Sequence, residues 1–161
     1  MSRPPIAAYF AYGSNMNPAR VAERRIETTR AIGATLRGYV LRFNKAGKHL
    51  VEEGPGVGHA NVEKSFASSP AREVQGVLYF LADPGEILKM DPFERAPWNY
   101  GRDVVQVETL EGQIWAWTYF ANPAVKQDGL HPSRMYLDHL LQGAAFLSQA
   151  YLDELRRVRV A

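Results

Sequence analysis

Residues 9–16 have the sequence Tyr9-Phe10-Ala11-Tyr12-Gly13-Ser14-Asn15-Met16. The apolar run over residues 6–12 predicts a buried strand, and Gly13 is expected to turn the chain in a backbone conformation closed to other residues. Asn17 and Pro18 are the residue types of a helix N-cap and a first helical position. A strand that ends at a helix start directs several backbone N–H groups to one point, which favours anion binding. A tight connection without a ligand is the alternative interpretation.

Further strand-like runs follow this segment, several of them with alternating apolar and polar residues. They cover residues 31–43, 60–65, 74–81, 103–109 and 114–120. Glu111-Gly112 separates the last two runs, which predicts a hairpin. Helical patterns begin after Pro18 and at residues 85–90, and Ser133 and Ser148 are predicted N-caps of two C-terminal helices. Many strands with few interleaved helices favour a mixed or antiparallel sheet, with closure into a barrel as one option, over a doubly wound parallel sheet.

Length and composition limit the class of protein. The 161 residues suit one soluble globular domain, and a formal charge of +2 is too small to predict nucleic-acid binding. The absence of cysteine excludes disulfides and thiolate chemistry. No apolar run reaches membrane-spanning length and no signal-peptide core is present, so a cytoplasmic protein without membrane contact is expected.

Two local patterns are interpreted as solvated or mobile surface. The segment 46–58 is rich in Gly and charged residues, which predicts a mobile loop. Two groups of arginines near the ends of the chain are interpreted as solvated helix faces. They are Arg20, Arg24 and Arg25, and Arg156, Arg157 and Arg159.

A second region with chemical potential covers residues 91–100. A short helix over residues 85–90 would bring Asp91 and Glu94 into a turn that also contains prolines and aromatic residues. Apolar surroundings raise the pKa of a carboxyl group, and such a group can act as a base and then an acid near neutral pH. The alternative is a solvated turn in which Glu94 pairs with Arg95 or Arg102.

Other candidate residues carry weaker signals. His59 and His139 have no partner nearby in the sequence, and no two of the four histidines have metal-ligand spacing, so they are interpreted as surface or packing residues. Ser14 follows a glycine, but the pattern of a nucleophile elbow is absent. Tyr136 lies one turn into a capped helix, where its hydroxyl group either reaches a pocket or packs with its tip in water.

Several motifs, taken together and in order, resemble the gamma-glutamyl cyclotransferase-like superfamily. The resemblance covers nearly the whole chain. Its motifs are Tyr9–Met16, Gly58-His59-Ala60-Asn61-Val62, Gly76-Val77-Leu78-Tyr79, Met90-Asp91-Pro92-Phe93-Glu94, Tyr100-Gly101-Arg102 and Pro132-Ser133-Arg134-Met135-Tyr136.

The resemblance implies an α+β fold, a small mixed β-barrel with peripheral helices, over residues 1–161. It also implies conversion of a gamma-glutamyl compound to 5-oxoproline with release of an amine or amino acid, without a metal or cofactor. Glu94 would be the proton acceptor. The implied substrate-binding residues are Tyr9, Phe10, Ala11, Tyr12, Gly13, Ser14, Asn15, Tyr100 and Tyr136. The expected partner is a small gamma-glutamyl molecule, with a homodimer as one option and neither nucleic acid nor membrane.

The chain departs from the family pattern next to the expected catalytic residue. Family members commonly have Gly directly after the catalytic Glu, whereas Arg95, Pro97 and Trp98 follow Glu94 here. This stiffer and bulkier turn is expected to alter the side of the pocket that holds the leaving group. A gamma-glutamylamine cyclotransferase and a non-catalytic binding module on the same fold are therefore kept as alternatives.

Overall fold

The computed structural model describes residues 4–47, 56–66 and 72–161. Its strands are β1 Ala8–Ala11, β2 Thr28–Arg37, β3 Tyr39–Ala46, β4 Gly58–Lys64, β5 Glu73–Leu81, β6 Tyr100–Thr109 and β7 Gly112–Ala121. Five of them form a closed barrel in the order β1-β5-β2-β6-β7, and β3 and β4 form a separate two-stranded sheet. Strand β1 pairs with β5 in antiparallel and with β7 in parallel orientation, so the barrel is mixed.

Within the described residues, four α-helices surround the barrel, namely α1 Pro18–Glu23, α2 Ile87–Glu94, α3 Arg134–Leu141 and α4 Gln149–Arg156. Three of them have the predicted N-caps, because the side chains of Asn17, Ser133 and Ser148 each accept a hydrogen bond from a backbone N–H group of the first turn. The barrel with peripheral helices confirms the expected fold class. In the described part of the chain, no helix has the length and apolarity needed to cross a membrane.

Two of the predicted elements have different limits in the structure. The run over residues 31–43 forms two strands, β2 and β3, because Gly38 between them has a φ of +81° and redirects the chain into the second sheet. The helix expected to stop at residue 90 continues through Pro92 to Glu94. Glu94 therefore lies on the last turn of a helix and not in the turn that follows.

Only part of the predicted mobile loop can be compared with the structure. Residues 48–55 of this segment lie outside the described residues. Its two ends are ordered as strand, since Ala46 ends β3 and Gly58 begins β4. The mobile-loop interpretation is thus wrong for these ends.

The hydrophobic core brings the N-terminal turn, defined here as residues 13–16, to the end of α2. Met16 from this turn and Met90 from α2 are both fully buried in one cluster, which also contains Leu137 of α3. A second cluster inside the barrel contains Phe10 and Tyr12. Because β1 alternates between the two clusters, its last residues lead from the core directly to the surface where α2 and α3 meet.

Candidate active site

Glu94 is held at the end of α2 by a left-handed residue. Arg95 has φ 50° and ψ 44°, and its backbone N–H group donates to the carbonyl groups of Asp91 and Pro92. Glycine is the residue that most often takes this position after a helix, because it has no Cβ to clash. Arg95 therefore takes the left-handed backbone conformation at the position where the family pattern has glycine. Its side chain lies at the edge of the site.

The Glu94 carboxylate is largely buried and contacts the N-terminal turn. Its side chain is 16% exposed, and its Oε1 accepts a hydrogen bond of 3.0 Å from Asn15 Nδ2. Arg24 Nη1 lies 3.8 Å from the same oxygen and donates to Asn15 Oδ1 at 2.9 Å. Burial raises the pKa of Glu94 above its ordinary value, although Arg24 and the Asn15 hydrogen bond act against this.

The solvated-turn interpretation of Glu94 is wrong. The partner of Arg102 is Asp91, with Nε 2.9 Å from Oδ1, and Asp91 also accepts a hydrogen bond of 2.6 Å from the Tyr119 hydroxyl. The two carboxylates of this region therefore have different environments. Asp91 connects α2 to β6 through Arg102 and to β7 through Tyr119, whereas Glu94 faces a cavity.

A small cavity of about 40 Å³, called here the inner cavity, lies beside the contact between Glu94 and Asn15, and both residues line it. Seven of the nine residues predicted for substrate binding line it together with Glu94. The lining residues are Tyr9, Tyr12, Gly13, Ser14, Asn15, Ala60, Glu94, Tyr100, Tyr119 and Tyr136. The structure thus brings the acidic helix end and the N-terminal turn to one hollow.

Phe10 and Ala11 do not line this cavity, contrary to the expectation for them. Phe10 is fully buried in the second core cluster, where its ring contacts Gly76, and Ala11 is buried in the first cluster. The resemblance assigned the whole of β1 to the site. Their side chains enter the two core clusters, so only part of the motif can reach the cavity.

Two tyrosine hydroxyl groups on the wall of the inner cavity form hydrogen bonds with the backbone of Ala60. The Tyr136 oxygen accepts a hydrogen bond of 2.9 Å from the backbone N–H group of Ala60, and the Tyr100 hydroxyl donates to the carbonyl of the same residue at 2.8 Å. Burial raises the pKa of the Tyr136 phenol to about 12, and the backbone groups of Ala60 and Ser14 act against this rise.

A wider pocket of about 240 Å³, called here the outer pocket, adjoins the inner cavity and shares Ser14, Glu94, Tyr100 and Tyr136 with it. Its other lining residues are Arg20, Arg24, Lys45, His59, Phe93, Arg95, Asn99, Met135 and His139. Most of these were absent from the sequence-based set. The i, i+4 spacing of Arg20 and Arg24 on α1, next to the N-terminal turn, is the signal that could have indicated a shared face.

The interpretation of Arg20 and Arg24 as solvated surface residues is wrong, whereas His59 and His139 pack against neighbouring side chains, which was one of the two options given for them. Arg20 and Arg24 line the pocket, whereas only Arg25 of that group is exposed. His59 stacks on the Tyr136 ring at a centroid distance of 4.6 Å, and His139 Nδ1 lies 3.1 Å from Asn17 Nδ2, with both rings on the pocket wall. Short helices and strands place these side chains at the site through contacts between distant segments, which spacing alone does not reveal.

Gly13 is required for space and not for an unusual φ, which is −112°. A Cβ atom at this position would lie 3.0 Å from the Tyr136 hydroxyl and 3.1 Å from the Ala60 Cβ. We expect Gly13→Ala to raise KM several-fold by displacing Tyr136, and to lower the free energy of unfolding by about 1 kcal/mol through overpacking. Steady-state kinetics and urea denaturation measure the two effects.

Gly101→Ala is the matched control for this prediction, because a Cβ atom at Gly101 would have no heavy atom within 4 Å. This variant should match the wild type in both measurements. A Gly13→Ala protein with unchanged KM would show that the Tyr136 hydroxyl does not contact the substrate.

Comparison with known proteins agrees with this geometry. A family model described as "Gamma-glutamyl cyclotransferase, AIG2-like" matches residues 9–138. The chain therefore belongs to the gamma-glutamyl cyclotransferase, AIG2-like family, which confirms the resemblance noted in the sequence. No curated protein matches the chain significantly.

Solved structures with the same fold include three of similar size. An uncharacterized human protein has 24% identity and a TM-score of 0.77 over 98% of this chain and 90% of its own. A gamma-glutamyl cyclotransferase has 23% identity and a TM-score of 0.74 over 96% and 88%. A yeast gamma-glutamyl cyclotransferase specific to glutathione has 15% identity and a TM-score of 0.61 over 92% and 93%. At these identities the likeness shows a shared fold.

Proposed function

We propose that this protein is a gamma-glutamyl cyclotransferase that converts a gamma-glutamyl compound to 5-oxoproline and releases an amino acid or amine. Family membership supports an enzyme of this type. The observation that carries the proposal is the buried Glu94 carboxylate, which contacts the N-terminal turn beside the inner cavity. A carboxyl group whose pKa is raised by burial is suited to accept a proton and return it near neutral pH.

In the proposed reaction the substrate supplies its own nucleophile. The alpha-amine nitrogen attacks the gamma-carbonyl carbon, a five-membered lactam forms, and the bond from that carbon to the leaving nitrogen breaks. Well-oriented intramolecular reactions can lower the barrier by roughly 7–11 kcal/mol. The role of the protein would then be to fold the substrate, to exclude water and to move protons from the attacking nitrogen to the leaving nitrogen.

Glu94 would carry protons from the attacking nitrogen to the leaving nitrogen. The alpha-amine of a free substrate is mostly an ammonium group at neutral pH. Glu94 accepts one proton from it, the neutral amine attacks, and the protonated Glu94 gives that proton to the leaving nitrogen as its bond to the gamma-carbon breaks. The new lactam nitrogen still carries one proton too many, and the ionised Glu94 takes this proton and passes it to the released amine, which leaves as an ammonium group. Positioned acid–base groups of this kind typically contribute 10²–10⁴-fold to the rate.

Tyr136 and the N-terminal turn would stabilise negative charge on the substrate. The Tyr136 oxygen accepts from backbone N–H groups, so its own hydrogen can be donated to a ligand in the inner cavity. Its pKa of about 12 keeps the phenol protonated at neutral pH. The oxyanion on the gamma-carbonyl, or the alpha-carboxylate of the glutamyl group, would accept this hydrogen bond, and loss of one such donor typically costs about 3–4 kcal/mol of barrier.

A product assay tests the proposal. The purified protein is incubated with gamma-glutamyl amino acids, gamma-glutamyl amines and glutathione, and 5-oxoproline is measured by mass spectrometry. Formation of 5-oxoproline from at least one substrate class is expected. Thermal stabilisation by these compounds without 5-oxoproline would instead indicate a binding module, and no response to any of them would overturn the proposal.

The pH dependence of kcat/KM gives a second test of Glu94. The ionised carboxylate is the active base, so kcat/KM should rise with pH through the pKa of Glu94. Because burial raises this pKa, the midpoint of the acid limb should lie above the ordinary value of 4.5. Initial rates from pH 4 to 9 measure this midpoint. An acid limb of kcat/KM with its midpoint at or below pH 4.5 would contradict the role of Glu94 as the base.

A further inference from the structure

Cationic side chains line much of the outer pocket. Among the described residues that line it, four carry a positive charge, namely Arg20, Arg24, Lys45 and Arg95, and Glu94 is the one carboxylate. Cations in a partly enclosed pocket raise the local potential and attract anionic ligands. By contrast, phenols and the N-terminal turn line the inner cavity, and Glu94 is its one charged side chain among the described residues.

The pKa of His139 on the pocket wall is lowered from its ordinary value, first by burial and then by Arg20 and Arg24. The carboxylates of Glu23 and Asp138 act in the opposite direction. Arg20 is the charged group with the largest effect on this histidine.

The arginines on α1 have different partners. Arg24 donates to Asn15, forms an ion pair with Glu94 and lies 4.8 Å above the centre of the Phe93 ring. Arg24 is therefore part of the arrangement that holds Glu94.

Arg20 takes part in no ion pair within the described part of the chain. Its Nη1 lies 3.5 Å from His139 Nε2, and its Nε is buried without a hydrogen-bond partner among the described residues. Burial and the nearby Arg24 lower the pKa of this guanidinium group. Arginine side chains nevertheless remain charged in proteins. A partly desolvated charge without a counter-ion is costly to a folded protein, so a ligand that supplies the counter-ion gains this energy.

We propose that the outer pocket binds a carboxylate group on the leaving portion of the substrate and that Arg20 is its main specificity-determining contact. The leaving group is then an amino acid or peptide and not a simple amine. Phe93 and Met135, which are 50% and 75% exposed on the same wall, would contact the apolar part of this amino acid. The inference depends on the proposed cyclotransferase function.

The position of Glu94 supports this assignment of subsites. Glu94 lines both the inner cavity and the outer pocket, so it can reach the alpha-amine on one side and the leaving nitrogen on the other. The glutamyl group would extend from the inner cavity, which at about 40 Å³ holds only part of it, into the adjoining part of the outer pocket. The released amino acid, whose carboxylate is two bonds from its nitrogen, would lie directly outside it among the cationic side chains.

A matched pair of substrates tests the charge of the leaving group. Gamma-glutamylglycine and gamma-glutamylglycinamide have nearly the same size but differ by one negative charge. We expect kcat/KM for the acid to exceed that for the amide by about tenfold to a hundredfold, as for hydrogen bonds to a charged group. In Arg20→Met this ratio should fall at least fivefold, and Arg20→Lys should restore part of it.

Arg157→Met is the control, since Arg157 is exposed at the end of α4 and lines neither cavity. It should keep the wild-type ratio. Equal kcat/KM for the two substrates in the wild type would overturn the inference. An equal loss for both in Arg20→Met would overturn it too, because Arg20 would then contact the glutamyl group that the substrates share.

Failure of the underlying function has a different signature. If neither compound yields 5-oxoproline, the cyclotransferase proposal is contradicted. Calorimetry then measures the binding affinities of the same two compounds and tests the anion subsite independently of catalysis. Tighter binding of the acid, lost in Arg20→Met, would support the anion subsite, and equal affinities would overturn it.

Discussion

Glu94→Gln is expected to lower kcat for 5-oxoproline formation by about 10²–10⁴-fold while substrate affinity is retained. Glutamine has the same shape and keeps an oxygen that can accept the hydrogen bond of Asn15 Nδ2, now 3.0 Å from Glu94 Oε1. It cannot accept a proton from the alpha-ammonium group or return one to the leaving nitrogen. Single-turnover kinetics and calorimetric binding separate the two effects.

The same substitution should also stabilise the fold at neutral pH. Because the folded-state pKa of Glu94 is raised, this group favours folding below its unfolded pKa, and the contribution is lost as the pH rises through the folded pKa. At pH 7 the buried carboxylate is thus a destabilising charge that glutamine removes. Thermal melting should show a higher Tm for Glu94→Gln at pH 7, with a smaller gain near pH 4.

Glu86→Gln provides a matched control with the opposite signature. Glu86 accepts hydrogen bonds from Lys89 and from the backbone N–H group of Glu27, and these lower its pKa. Its carboxylate therefore favours folding above its unfolded pKa, and the variant should lose stability at pH 7 while kcat is unchanged. Near-wild-type turnover by Glu94→Gln would remove Glu94 from the proposed mechanism.

Asn15→Leu is expected to have the second largest effect, on both stability and the pH profile. Asn15 is 3% exposed, and its amide donates to Tyr9 and Glu94 and accepts from Arg24. Leucine has similar volume but leaves these buried groups without their partner, which costs about 2–3 kcal/mol of unfolding free energy. Urea denaturation measures this loss.

The effect of Asn15→Leu on the pH profile distinguishes a positioning role from a purely structural one. The hydrogen bond from Asn15 lowers the pKa of Glu94, so its removal should raise that pKa further. The acid limb of kcat/KM would then move to higher pH. Asn15→Asp, which places a second carboxylate beside Glu94, should move the limb in the same direction and serves if the leucine variant does not fold.

Asn44→Leu is the control for the asparagine variants. Asn44 Nδ2 donates to Glu63 at 3.1 Å, which is the same type of amide–carboxylate contact away from both cavities. This variant should lose stability without any shift of the acid limb. An Asn15→Leu profile that overlays the wild type would show that Asn15 does not influence the ionisation of Glu94.

Local signals predicted much of the secondary structure. Asn17, Ser133 and Ser148 cap helices as expected, because capping depends on a side chain and backbone groups two or three residues away. The β6–β7 hairpin follows in the same way from its turn residues, where Gly112 has a φ of +102°. The split at Gly38 was missed because a glycine inside an apolar run is compatible with either a continuous strand or a break.

The residues of the candidate site were predicted only in part. Motif resemblance indicated Glu94 and the tyrosines, and the structure places eight of the ten predicted residues on the inner cavity. Phe10 and Ala11 are buried as predicted but do not line the inner cavity, since the direction of each side chain depends on which face of the barrel wall covers it. Arg20 and Arg24 were assigned to the surface, and His59 and His139 were left as surface or packing residues, because only the packing of α1, β4 and α3 around the cavity shows where they lie.

The amino-acid sequence by itself determined the order of strands and helices, the helix caps, the family and the identity of the acidic residue. These features depend on residue types and short spacings along the chain. The tertiary structure alone decided the burial of Glu94, its contact with Asn15 and Arg24, and the excess of positive charge around Arg20. Burial and electrostatic fields sum over groups that are distant in the chain, so they arise only once the barrel closes and brings α1, α2 and α3 together.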